Sequence, residues 1–268
     1  MKLIIIPPFR PKALREGGDY FVREVLDEME KKGALEGVEI DIDAGFYVEN
    51  PTEQTNEEMR VRLTIGIINR VRMYCDGTKY DAIVTSGGYD QGFLSARMLS
   101  QIPVAGALHS VVHAASLIGD RFTIIHLSDP YSLVIRHLVE SYGFGNKLAS
   151  VRAVGCSATF VNEMLPKYKK GERGKAPEGK KLLDDFVAHC IKGIEDERAD
   201  SLIFVSPHHS CLADEVRQRL DELGYCEIPL VLGLPAAVEM AKSMVNMRLK
   251  QAARAYPSDD LKAKPAFR

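Results

Sequence analysis

Short apolar runs rich in β-branched residues alternate along the chain with longer segments whose apolar residues recur at helical spacing. The short runs predict eight strands: 2–6, 38–42, 81–85, 102–105, 121–127, 150–154, 201–206 and 228–232. The longer segments predict eight helices: 17–33, 56–74, 92–100, 109–118, 131–142, 181–197, 211–223 and 235–249. Strands that alternate with helices of this length indicate βα units around parallel sheets, so the predicted fold class is α/β.

The order of elements in the first half of the chain recurs in the second half. One strand leads into residues 87–88 (GG) and another into residues 206–207 (SP), and each is followed by a helix and an Ile-Pro strand. The next helices begin near Gly106 and Gly233, and Val, Ala and Ser follow each Gly at offsets of five, eight and ten. The repeat predicts two pseudo-symmetric, Rossmann-like halves with the site in the cleft between them.

The repeat also predicts how the chain is divided. The first half is predicted over residues 1–110 and the second over 111–234. A C-terminal helix, 235–250, returns to the first half, and residues 251–268 form an extended tail. Pro257 and Pro265 prevent the tail from continuing the preceding helix. Residues 166–181 carry seven basic side chains and are predicted to be a loop, either a solvated charge run or a mobile lid that attracts anions.

Composition excludes several classes of protein. Of the 268 residues, 46% are hydrophobic, which suffices for a core, and the formal net charge is −2. A chain without a basic field is not expected to bind nucleic acid or an anionic membrane. No stretch approaches the 18 apolar residues that a membrane span needs, and the apolar run at residues 3–6 is too short for a signal segment.

The cysteines indicate a reducing compartment. Five Cys with no C-x-x-C pair favour neither a disulfide framework nor a structural zinc site, so we expect a cytoplasmic protein without a metal. His109 and His113 are four residues apart, as zinc ligands on a helix would be, but the Glu of an H-E-x-x-H motif is missing. A structural or pocket-lining role is therefore predicted for both histidines.

Two loops after equivalent strands are predicted to face each other across the cleft: residues 86–91 (SGGYDQ) and 206–211 (SPHHSC). Opposed groups suit a reaction at one carbon atom, because a planar carbanion loses a proton on one side and gains one on the other. Ser206 and His208 are predicted to face Gly87, Tyr89 and Asp90, with Cys211 as a further candidate.

Three stretches, 85–116, 121–154 and 233–245, together resemble the aspartate/glutamate/hydantoin racemase superfamily, and the hydantoin (allantoin) racemase branch most of all. The resemblance implies an isomerase that uses neither a metal nor an organic cofactor. It further implies a small carboxylate or cyclic amide (hydantoin-like) substrate, a carbanion or enolate intermediate, and a symmetric homo-oligomer.

The resemblance also implies two cysteine thiols that act as the opposed acid and base, one after each equivalent strand. These positions fall on Gly87 and Ser206, so both thiols are replaced. Serine at its ordinary pKa is a poor base near neutral pH, whereas a thiol with a pKa near about 8.5 is a ready one. The alternatives are a decarboxylase or lyase that uses a single acid, Cys211 or His208, and a small-molecule binding protein without catalysis.

Candidate catalytic residues are therefore Ser206, His208, Cys211 and Tyr89. The candidate substrate-binding residues are Arg10, Gly87, Gly88, Asp90, His126, Ser128 and His209. The adjacent glycines expose backbone N–H donors before a helix, where the helix dipole favours a carboxylate. Arg10 follows the first strand and is predicted to be a carboxylate partner. His126 ends a strand whose carboxyl end points toward the cleft.

Overall fold

The computed structural model describes residues 1–8, 20–45 and 57–257. Within this part, eight parallel strands form two four-stranded sheets. The first sheet has the order β2-β1-β3-β4, with β1 Lys2–Ile6, β2 Glu39–Ile42, β3 Ala82–Thr85 and β4 Val104–Gly106. The second has the order β6-β5-β7-β8, with β5 Phe122–His126, β6 Leu148–Ala153, β7 Ser201–Phe204 and β8 Leu230–Leu232. All eight predicted strands and the α/β class are confirmed.

Helices flank both sheets. They are α1 Tyr20–Lys31, α2 Glu57–Val71, α3 Phe93–Leu99, α4 Ala107–Ile118, α5 Ser132–Ser141, α6 Ala158–Met164, α7 Pro177–Glu195, α8 Pro207–Ser210, α9 Ala213–Glu222 and α10 Gly233–Asn246. The eight predicted helices are present with shifted ends. Two further helices, α6 and α8, are too short to show the helical periodicity on which the prediction relied.

The internal repeat has a structural counterpart in the two sheets. The two strand orders are equivalent, since β1 to β4 occupy the places that β5 to β8 occupy in the second sheet. The two Ile-Pro segments also accept equivalent hydrogen bonds. The N–H of Ile83 donates to the Pro103 carbonyl in the first half, and the N–H of Leu202 donates to the Pro229 carbonyl in the second, both at 2.9 Å. The repeat is therefore a pseudo-twofold relation between the halves.

Each half sends a helix to the other. Helix α4 follows the first sheet but buries Leu108, Val111 and Val112 against strands of the second sheet. Helix α10 follows the second sheet but buries Leu234 and Val238 against the first sheet. Helix α4, Ala107–Ile118, spans the position between residues 110 and 111, and the division of the chain into two halves stays a prediction.

The basic segment 166–181 is not the loop that the sequence predicted. Helix α7 already begins at Pro177, and Arg173 is fully buried rather than solvated. Its guanidinium donates to both carboxylate oxygens of Glu24 in α1, at 2.7 and 2.6 Å. The charge run was misleading because one of its members pairs with a carboxylate that is distant in sequence.

The C-terminal tail also differs from its prediction. Residues 253–255 form a turn, whereas an extended course was predicted. The ring of Tyr256 lies against the Arg97 guanidinium of α3, 3.9 Å from ring centroid to Cζ. Residues 258–268, with Pro265, lie outside the described residues.

Candidate active site

The carboxyl ends of β3 and β7 meet at the boundary between the halves. A Cβ atom built on Gly88 would lie 2.9 Å from the Ser206 Cβ and 3.3 Å from the Ser206 backbone nitrogen. The loops 86–91 and 206–211 therefore touch, and only a glycine allows the two backbones to approach this closely. Apart from the half-buried Tyr89, both loops are built from buried residues, which gives this junction a low-dielectric interior.

Gly87 is enclosed from the side of its own half. A Cβ atom on Gly87 would collide with the amide oxygen of Gln91 and would lie 3.3 Å from the Pro8 ring. Gln91 is 6% exposed, and its Oε1 atom accepts no hydrogen bond from the described residues. A buried acceptor without a donor is costly, so Gln91 is a functional candidate that the sequence analysis missed. No sequence motif marks it; only the space beside Gly87 does.

Asp90 caps helix α4. Its backbone has a φ of 45°, and its buried carboxylate accepts hydrogen bonds from the backbone N–H of Leu108 at 3.1 Å and of His109 at 2.7 Å. The Tyr142 hydroxyl donates a third bond at 2.9 Å. Burial raises the pKa of Asp90 to about 6, against the opposing effect of these donors. These contacts hold Asp90 against the start of α4, and the substrate-binding role predicted for it stays a prediction.

Tyr89 reaches from the first half into the second. Its ring stacks on Tyr131 with a centroid separation of 4.0 Å and an interplanar angle of 13°. The His126 ring lies perpendicular to it at a centroid distance of 6.5 Å. Burial raises the pKa of the Tyr89 phenol, so its hydroxyl remains protonated and acts as a hydrogen-bond donor. Tyr89 and His126 are thus brought together although they are 37 positions apart in the sequence.

His126 is fully buried at the carboxyl end of β5. Its Nε2 lies 2.9 Å from the Ser132 hydroxyl, and its Nδ1 has no hydrogen-bond partner among the described residues. Burial lowers the pKa of His126 to about 4, so the ring is neutral at neutral pH. Ser128, two residues further on, is half-buried and precedes a single 3₁₀ turn at Asp129–Tyr131.

Ser206 caps helix α8, which runs over Pro207–Ser210 where the sequence predicted a loop. The backbone N–H of Ser206 donates to His209 Nδ1 at 3.2 Å. Burial lowers the pKa of His209, so this imidazole is neutral as well. His208 Nε2 lies 3.0 Å from Asn162 Oδ1, which only accepts, so Nε2 carries the proton. Both histidines are buried in a short helix rather than solvated in a loop.

Cys211 lies in the apolar core of the second half, beside residues such as Phe204 and Leu212, and is 1% exposed. Burial raises the pKa of its thiol, so it stays protonated. Its carbonyl oxygen accepts a hydrogen bond from Arg173 at 3.0 Å. These surroundings are those of a structural cysteine.

Arg10, the predicted carboxylate partner, lies outside the described residues.

The two histidines of α4, His109 and His113, contact each other. His113 Nδ1 lies 2.7 Å from the His109 carbonyl oxygen, and the two rings are 4.3 Å apart. Burial lowers the pKa of His109 to about 3. Among the described residues, no group of three or more His, Cys, Asp or Glu side chains is arranged to hold a metal ion. The described helices also include none that is long and apolar enough to cross a membrane.

The model of one protein family, described as Asp/Glu/hydantoin racemase, matches residues 18–241. A hydantoin racemase from Pseudomonas sp. (strain NS671) is 24% identical over 170 residues, which is 63% of this chain and 60% of that protein. The chain thus matches about three fifths of the length of that relative. The same holds for a hydantoin racemase from Paenarthrobacter aurescens, at 22% identity and 62% of its length.

Solved structures show the same fold. The crystal structure of allantoin racemase from Pseudomonas fluorescens has a TM-score of 0.74 at 20% identity, covering 96% of this chain and 97% of that one. The similarity therefore extends over both sheets and the flanking helices.

Proposed function

The chain belongs to the Asp/Glu/hydantoin racemase family, and on this premise we propose that it is a racemase acting on a small substrate. The reaction inverts a stereocentre next to a carbonyl group, through a carbanion or enolate and without a cofactor. The observation that supports this proposal is the contact between the ends of two equivalent strands, where Gly88 lies against Ser206. Equivalent strand ends bring groups from both halves to the two faces of one substrate carbon.

Among the described residues, the charge of the site favours a cyclic amide over a free carboxylate. The loops 86–91, 126–129 and 206–211 contain no Lys or Arg. His126 and His209 are neutral because they are buried, and Tyr89 retains its proton. A buried carboxylate without a cation pays a large desolvation cost, whereas a neutral hydantoin ring needs only hydrogen-bond partners. The buried Gln91 oxygen is one such partner for a ring N–H.

Among the predicted residues, Ser206, Tyr89 and His126 have the best placement for this chemistry, since they lie at the junction of the halves. Cys211 is a weaker candidate because its thiol is held protonated in the core. We therefore assign the proton transfers to the groups around Ser206 and His126 and give Cys211 a structural role.

Isotope exchange tests this function directly. Enantiopure 5-benzylhydantoin, allantoin, L-aspartate and L-glutamate are incubated with the protein in deuterated buffer. Loss of optical rotation is recorded together with loss of the α-proton signal in NMR spectra. We expect racemisation and deuterium uptake with a hydantoin but not with the amino acids. Thermal stabilisation by these compounds without any exchange would contradict the proposal and identify a binding protein.

A further inference from the structure

A chain of hydrogen bonds ends on His126. The Ser132 hydroxyl donates to Asp129 Oδ1 at 3.2 Å, since a carboxylate only accepts. The same hydroxyl oxygen lies 2.9 Å from His126 Nε2 and must accept the proton of that nitrogen. The hydrogen bonds therefore fix the tautomer: Nε2 carries the proton and Nδ1 carries the lone pair.

The Nδ1 lone pair is the unusual feature of this arrangement. It is buried, and no donor among the described residues satisfies it. A buried nitrogen acceptor without a donor is retained at a cost of stability, and such groups are found where function requires them. The imidazole belongs to the strand beside β7 and faces Tyr89 of the first half, so it stands at the junction where the proposed substrate binds.

We propose that His126 is the general base of the racemisation and that Ser132 and Asp129 position its ring. In the step, the bond between the substrate carbon and its proton breaks, and the electron pair moves into the adjacent carbonyl to give an enolate. The proton forms a bond to Nδ1, which yields an imidazolium. Return of this proton to the same face regenerates the substrate. Alternatively, water on the opposite face gives its proton to the carbon and completes the inversion, and the hydroxide left behind is neutralised by the proton that the imidazolium releases to solvent, which regenerates the neutral His126. This inference rests on the proposed function.

The electrostatic surroundings of His126 keep its ring neutral between turnovers, so that it is able to accept a proton. Burial keeps Nδ1 unprotonated at neutral pH, so the lone pair is available. Asp129 favours the imidazolium, while His189 of α7 disfavours it, and the neighbouring His209 and Tyr89 are neutral. The Ser132–Asp129 arrangement resembles the orienting partner of a catalytic histidine in other enzymes, where it sets ring orientation and stabilises the imidazolium.

The variant His126→Gln tests the assignment, because glutamine still donates to Ser132 but has no basic lone pair. We expect deuterium uptake into 5-benzylhydantoin to fall by about 100-fold or more, with unchanged binding of the hydantoin. The matched control is His137→Gln, which alters an exposed histidine on α5 and should exchange at the wild-type rate. Should His126→Gln fail to fold, His126→Gly assayed with and without added imidazole replaces it, and imidazole is expected to restore exchange.

Ser132→Ala tests whether Ser132 positions the His126 ring or only packs against it. Loss of the Asp129 relay should lower kcat with little change in KM and shift the acid limb of the pH profile to lower pH, and Ser132→Thr should restore both. Wild-type exchange that persists unchanged in His126→Gln would overturn the base assignment while leaving the proposed function standing. No exchange by the wild-type protein with any of the probes would instead overturn the proposed function itself.

Discussion

Gly88 in the first half lies against Ser206 in the second half, so closely that a Cβ atom on Gly88 would stand 2.9 Å from the Ser206 Cβ. The two residues follow equivalent strands of the pseudo-symmetric sheets. Both halves therefore contribute backbone to the proposed site. A change that moves the two backbones apart also moves apart the side chains that the two halves supply to the substrate.

Gly88→Ala is therefore expected to harm both stability and activity. The added methyl group meets backbone and Cβ atoms of Ser206, which cannot rotate away, and overpacking of this kind costs about 1 to 3 kcal/mol. Racemisation of 5-benzylhydantoin should fall more than tenfold, because small displacements of reacting groups have large effects on rate. Urea denaturation and the optical assay measure the two effects.

The control for this variant is Gly145→Ala. There the new Cβ would lie 3.0 Å from the Cγ atom of the flexible Glu140 side chain, and the nearest backbone atom would be 3.5 Å away, so little change is expected. Wild-type activity in Gly88→Ala would show that the contact between the halves does not shape the site.

The sequence predicted the sheets well because the signals for them are local. A pattern of only a few residues is enough to predict each of these strands. Examples are the β-branched runs at 81–85 and 201–206 and the matching Ile-Pro strands. The pseudo-twofold arrangement then followed from repetition of these local signals.

What the sequence did not predict depends on contacts between distant residues. Burial of Arg173 requires Glu24, and burial of His208 involves Asn162, neither of which is near in sequence. The orphan oxygen of Gln91 becomes visible only when its position next to Gly87 is known. Residue types alone made His208 and Cys211 candidate reactive groups, and burial, which raises the pKa of the Cys211 thiol, favours a structural role for that residue.

Arg173→Met is expected to unfold the protein more easily. The guanidinium is fully buried, and it donates to Glu24 and to the carbonyl oxygens of Leu165 and Cys211. Removing one partner of a buried ion pair leaves an uncompensated charge, which costs about 3 to 5 kcal/mol. Replacing Glu24 as well, in Glu24→Gln with Arg173→Met, should recover part of that loss. The free energy of unfolding in urea measures both.

Lys181→Met provides the comparison for Arg173. Its ion pair with Asp185 is solvent-exposed, with the lysine side chain 80% accessible, so its loss is expected to change stability far less than loss of the buried pair. If both substitutions lowered the free energy of unfolding equally, the buried Arg173–Glu24 pair would stabilise the protein no more than an ion pair on the surface.

Restoring the missing thiols should require removal of the Gln91 side chain. The resemblance places the thiols of related racemases at Gly87 and Ser206, and a Cβ on Gly87 collides with the Gln91 amide. We expect Gly87→Cys with Ser206→Cys to gain little racemase activity, and the same pair with Gln91→Ala to be at least tenfold faster. The gain should appear as pH rises toward the thiol pKa of about 8.5. Equal rates in the two variants would show that Gln91 does not occupy the position of the first thiol.

Acid should destabilise the protein through histidines that are buried in the neutral form. The folded-state pKa of His109 is lowered to about 3 and that of His126 to about 4, both below the unfolded value of about 6.5. The unfolded chain therefore binds more protons than the folded chain below pH about 6.5, and stability is lost as the pH falls from there toward the folded pKa values. Asp90 acts in the opposite direction between pH about 6 and 4, because its folded pKa is raised.

His109→Phe isolates one of these contributions. Phenylalanine suits the aromatic surroundings of Phe93 and Tyr142, so the fold is expected to persist. The free energy of unfolding, measured in urea at several pH values between 6.5 and 4.5, should lose about 1.4 kcal/mol less per pH unit in this variant than in the wild type. The same slope in His109→Phe and the wild type would mean that His109 is protonated in the folded protein, and the burial argument for a neutral His126 would then fail with it.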